Sequence, residues 1–79
     1  MTKRIHNPEI VKERLKQLRK EKGLTQKEVA QRINFSVSTI KQYENGYRIP
    51  DEANLKILSD FYKVYPQYIL GETDYQNYW

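Results

Sequence analysis

Apolar residues fall into short groups separated by polar or turn-forming residues. Ile10, Val11, Leu15 and Leu18 recur at three- and four-residue spacing, the period of one helix face. Val29, Ala30 and Ile33 do the same, as do Ile40 with Tyr43, and Leu55, Leu58, Phe61 and Tyr62. Start and stop signals bracket each group. Asn7-Pro8-Glu9 combines a capping acceptor, a proline suited to the first helical position and an acid at the positive end of the dipole. Gly23 supplies a left-handed stop. Thr25 with Glu28 makes a capping box, and Asn34 tolerates the left-handed turn that follows. Ser36 is another N-cap, Asn45-Gly46 ends its helix, and Asp51 opens the next. Pro66 begins a last short helix that stops at Gly71. These signals predict helices over 8–22, 26–33, 37–44, 51–62 and 66–71, an all-α chain with no alternating strand pattern. Residues 72–79 show no helical pattern.

Composition narrows the class. The 79 residues contain 38% apolar and 30% charged side chains and no cysteine. One small domain is expected, whose core buries about 60–65% of the unfolded surface; a deep substrate pocket does not fit that size. Without Cys, and with His6 alone, there is no thiolate or imidazole cluster for a metal. No glycine-rich phosphate loop and no nucleophile–base pair stands out. The expectation is no enzyme, no cofactor, no metal and no small-molecule substrate. No stretch approaches the ~20 apolar residues of a membrane span, and Met1 to His6 lacks the apolar core of a signal peptide, so a cytoplasmic protein is expected. The net charge of +4 is unevenly held. Residues 1–50 carry 12 Lys/Arg against 5 Asp/Glu, and residues 51–79 carry 2 against 5. A basic front fits an anionic partner.

The second and third helices, joined by Asn34-Phe35-Ser36, have the layout of a helix-turn-helix. At about 100° per residue, one arc of the third helix carries Lys41, Asn45, Ser38 and Gln42, with Val37 at its edge. Ile40 and Tyr43 fall on the opposite arc, suited to packing. Ser, Lys and Gln are side chains that read base edges in a major groove. The stretch from Leu24-Thr-Gln through Tyr-Glu-Asn-Gly to Pro50 resembles the XRE family, helix-turn-helix domains similar to phage lambda repressor and Cro. The likeness extends from about residue 8 to 71.

That resemblance implies a compact five-helix bundle of lambda-repressor-like type and double-stranded DNA as partner. It implies base contacts by Val37, Ser38 and Gln42, with Lys41 in the same arc. Many family members have a polar residue at the position of Val37, so a hydrogen-bonded readout is not expected there. Backbone contacts are implied for Thr25, Gln26, Ser36, Thr39, Asn45, Gly46, Tyr47 and Arg48, and Gln26 is also implied to brace the start of the third helix. Arg19 and Glu44 match a pair that forms an internal salt bridge, a structural role. The leading expectation is a sequence-specific transcriptional regulator, a repressor binding a palindromic operator as a dimer.

Seven of the ten aromatics fall in residues 61–79. Phe61 and Tyr62 sit at core positions, but Tyr75, Tyr78 and Trp79 exceed what so small a core needs. Tyr and Trp are favoured in interfaces, which points to a homodimer through the C-terminal aromatic segment. The alternatives are a tail lying loosely over the last helix, or an antitoxin-like module whose C-terminal half binds another protein. The resulting division is an N-terminal arm over 1–7, the helix-turn-helix domain over 8–71 and an aromatic tail over 72–79.

Overall fold

Four helices begin at a side chain that accepts a backbone N–H, as free helix starts require. The computed structural model describes residues 7–76. It places α1 at Pro8–Glu21, α2 at Gln26–Ile33, α3 at Val37–Glu44, α4 at Glu52–Tyr62 and α5 at Pro66–Leu70, with no strand among the described residues. Asn7 accepts from the Glu9 N–H at 2.8 Å, Ser36 from Thr39 at 3.1 Å and Asp51 from Asn54 at 2.8 Å. Thr25 and Glu28 form the reciprocal capping box. The fifth helix has no side-chain cap but carries Pro66 in its first turn.

Helix ends are set by left-handed residues. Asn34 closes α2 at φ 62°, as its tolerance for that region predicts. Lys63 closes α4 at φ 58°, where the sequence offers no glycine; a side chain in that conformation costs about 1–2 kcal/mol. Gly71 closes α5 at φ 82°, and a Cβ there would lie 2.6 Å from Ile10 Cγ2. The close approach explains the glycine and relocates Ile10, which is part-exposed at the rim of the core rather than inside it.

The core is built around α1, which packs on both α3 and α5, while α4 packs on α5 and α2 on α3. Val11, Leu15 and Leu18 of α1 meet Val29, Ala30, Ile40, Tyr43, Leu55, Leu58 and Ile69 in one buried cluster. Tyr62 is buried and Phe61 half-buried beside it. No described helix is long and apolar enough to cross a membrane.

Residues 72–76 form no helix, yet they are fastened to the bundle. Arg14 Nη1 donates to the Tyr68 carbonyl at 2.7 Å and the Thr73 carbonyl at 2.6 Å. Its Nη2 pairs with Asp74 at 2.9 Å, and the guanidinium lies 4.1 Å from the Tyr68 ring centroid. The Tyr68 hydroxyl donates to Gln17 at 2.9 Å and accepts from Gln76 at 3.1 Å. Tyr65 N–H donates to the Gln76 carbonyl at 2.7 Å. Most of the proposed arm (residues 1–6), together with Tyr78 and Trp79, lies outside the described residues; Tyr75 is 77% exposed.

Candidate nucleic-acid interface

The exposed side of α3 is created by what its other side buries. Ile40, Tyr43 and Glu44 face the interior, which leaves Ser38 and Lys41 exposed and Gln42 half-buried. Val37 is half-buried and packs against the core cluster, so part of its apolar surface is already spent on the fold. Ser36 begins the helix with its hydroxyl shared between the Thr39 N–H and the Thr39 hydroxyl, the latter at 2.8 Å. Thr25 is likewise engaged in its own cap. Gln26 opens α2, where first-turn N–H groups lack intrahelical partners and favour an anion.

Behind α3 lies a buried ionic centre. Arg19 Nε donates to both Glu44 oxygens, at 3.0 and 2.9 Å, and its Nη1 donates to the Leu24 carbonyl at 2.9 Å. Gln26 Nε2 donates to the same carboxylate at 3.1 Å. Gln26 therefore turns its amide nitrogen inward and links the start of α2 to the end of α3, where the resemblance implied a brace to the start of that helix. The hydrogen bond that Arg19 donates to Glu44 raises the Arg19 pKa above its already high ordinary value. Burial pushes the nearby Tyr62 phenol well up, and the Glu44 charge adds to this. All three helices that frame the site converge on one carboxylate.

The loop after α3 winds back over Gln42. Its main-chain carbonyl accepts from Tyr47 N–H at 3.0 Å and Arg48 N–H at 3.3 Å, and its side-chain Oε1 accepts from Arg48 Nη1 at 3.3 Å. Asn45 caps α3. Gly46 takes φ 81°, with Lys12 Cδ only 3.3 Å from where a Cβ would sit. Tyr47 is 79% exposed, and Arg48 is exposed with its guanidinium 5.9 Å from the Tyr43 ring centroid. The Tyr43 hydroxyl in turn accepts from Asn54 Nδ2 at 3.0 Å. The sequence carries no sign of this bond, because no spacing rule joins Asn54 to Tyr43 in a separate helix.

Thr25, Gln26, Ser36, Thr39, Asn45, Gly46, Tyr47 and Arg48 thus occupy the starts of α2 and α3 and the loop that follows α3. Lys27, Lys41 and Arg48 add exposed positive charge. The described residues hold no cluster of potential metal ligands.

The sequence model of the family described as "Helix-turn-helix" matches residues 15–69. The chain is 41% identical over 61 residues to the HTH-type transcriptional regulator ImmR of Bacillus subtilis, covering 77% of this chain and 48% of that protein. It is 40% identical over 62 residues to the uncharacterized HTH-type transcriptional regulator YobD of Bacillus subtilis, 78% of this chain and 55% of that one. With the HTH-type transcriptional activator BcrR of Enterococcus faecalis it shares 38% identity over 52 residues, 66% of this chain and 26% of that one. The chain spans about half the length of the two Bacillus relatives and about a quarter of the third. No solved structure matches it significantly.

Proposed function

The chain belongs to the helix-turn-helix family of XRE type, and from that premise we propose that it is a sequence-specific DNA-binding transcriptional regulator. It acts as a repressor, lying on a palindromic operator as a homodimer and obstructing transcription. The observation that carries the reading is the outer arc of α3: Ser38 and Lys41 exposed, Gln42 beside them, above a side buried by Ile40, Tyr43 and Glu44. In this reading Ser38, Lys41 and Gln42 read base edges in the major groove, and the outer methyl of Val37 meets a thymine methyl. Thr25, Gln26, Ser36, Thr39, Asn45, Gly46, Tyr47 and Arg48 hold the phosphate backbone on either side. The relatives' names, two regulators and one activator, support regulation as the role.

One α3 offers few base contacts, so two copies on half-sites about one helical turn apart, roughly 34 Å, give the specificity a single copy lacks. The exposed Tyr75 and the aromatic residues beyond it supply a surface for that pairing. The protein works in the cytoplasm on this account.

Selection of duplexes from a random pool at fixed salt tests the reading. The expected product is a two-fold symmetric site, with Gln42→Ala and Ser38→Ala each relaxing preference at particular base pairs. Identical sites for wild type and both variants would remove α3 as the reader. A half-site-long asymmetric footprint would remove the dimer.

A further inference from the structure

An isolated glutamine is an ambiguous reader of DNA. Its amide carries a donor on one side and an acceptor on the other, and rotation by a half-turn exchanges them at little cost. One orientation suits adenine, which offers a donor and an acceptor in the major groove; guanine offers two acceptors and accepts the amide nitrogen alone. A glutamine discriminates well only when something holds its amide one way round.

Arg48 supplies that hold. Arginine has five N–H donors and no acceptor, so the Gln42 atom 3.3 Å from Arg48 Nη1 is the oxygen, and the flipped amide would set donor against donor. The backbone that carries the guanidinium is itself held by independent contacts. Arg48 and Tyr47 N–H groups both bind the Gln42 carbonyl, which fixes the loop to the residue it serves. The guanidinium also lies near the face of Tyr43, a buried ring whose hydroxyl is anchored by Asn54. The oxygen keeps its second lone pair for a base, so the hold does not consume the reading group.

We infer that Arg48 is a specificity-determining positioning residue that locks the Gln42 amide in one orientation, in addition to any grip on phosphate. This rests on the reading that α3 enters the major groove. A phosphate contact alone adds affinity without sequence information; the lock adds discrimination at one base pair.

The test measures affinities of wild type, Arg48→Lys, Arg48→Ala, Gln42→Ala and the Arg48→Lys/Gln42→Ala double variant. The probes are the wild type's selected duplex and its three base-pair variants at the position Gln42→Ala relaxes. Arg48→Lys keeps the positive charge and hence the salt dependence, but a lysine on a flexible stem loses the planar fork. Both Arg48 variants are expected to lose about tenfold of the discrimination at that base pair, the scale of one good side-chain–base contact. The double variant is expected to discriminate no worse than Gln42→Ala alone. Unchanged melting temperatures, expected for an exposed side chain, separate the effect from unfolding. If both Arg48 variants weaken all duplexes equally and keep the preference, the inference is overturned while the DNA-binding reading stands. If the wild type itself prefers no duplex, both are overturned.

Discussion

Arg14 and Arg19 sit on the same helix, and each guanidinium bonds one carboxylate and at least one main-chain carbonyl. Their surroundings differ at the far end of the bond. The Glu44 side chain that receives Arg19 is 2% exposed, whereas the Asp74 side chain that receives Arg14 is 98% exposed. A buried carboxylate without its partner has no water to turn to, so the Arg19 pair is obligatory once Glu44 is inside. An exposed carboxylate is nearly as well solvated alone, so Asp74 adds little. Arg14 works instead through carbonyls at 2.6 and 2.7 Å and through the Tyr68 ring. Similar bonds serve two ends: one centre organises the face of α3, and the other fastens the end of the chain.

The largest expected effect follows from breaking the buried centre. Glu44→Ala strands Arg19 and removes the acceptor of Gln26, and is expected to cost about 3–5 kcal/mol of stability. DNA affinity should fall only as a consequence. A variant that melts like wild type but no longer binds would reverse that order of causes. Arg14→Ala is expected to cost less, about 1.5–3 kcal/mol, the range of hydrogen bonds to a charged group, and to raise amide exchange in residues 72–76. If denaturant unfolding gives Arg14→Ala the larger loss, exposure of the partner does not decide the matter. Asp74→Ala should cost below about 1 kcal/mol, with the difference from wild type fading in high salt.

The smallest effect sharpens the same contrast through pH. Glu28 is exposed, and its bond from the Thr25 N–H, helped by the Thr25 hydroxyl, holds its carboxyl below the ordinary glutamate value. A lowered value in the folded state means stability that is present above the unfolded pKa and lost as pH falls through the folded one. Glu28→Gln keeps an acceptor for the cap but does not titrate. It should therefore flatten the acid limb of stability against pH, with little change near neutrality. An acid limb of unchanged steepness would show that this cap carries no pH dependence.

Helix starts were readable from the chain because the residues that set them act within three positions. Thr25 and Glu28, Ser36, and Asp51 each serve a neighbour, and α2 and α3 begin and end where those signals place them. The packing of α3 was equally legible, since its period alone divides Ile40 and Tyr43 from Ser38 and Lys41. Lys63 was not, because its left-handed turn is imposed by tertiary context on a residue with no preference for it. Ile10 matched the core period yet sits at the rim over Gly71, because position in the bundle, not period, decides depth. The fastening of residues 72–76 was also hidden. It uses main-chain carbonyls, which every sequence has, and an arginine more than fifty residues earlier. Gln26 was implied to brace the start of α3, but its bond runs to Glu44 at the other end of that helix, a pairing that only folding brings together.

That long reach has a kinetic consequence. The ties from Arg14 to Tyr68, Thr73 and Asp74 close loops of 54, 59 and 60 residues, whereas Arg19 reaches Glu44 across 25. Loop-closure entropy grows with length, by about 0.6 kcal/mol per doubling, which favours the shorter circuit forming before the Arg14 fastening. During synthesis α1, α2 and α3 emerge together with their shared carboxylate, while the carbonyls that Arg14 needs come after them. Backbone outside the helices and tied by a few side-chain bonds exchanges its amides at lower free energy than a core does, so residues 72–76 are expected to exchange before the buried cluster.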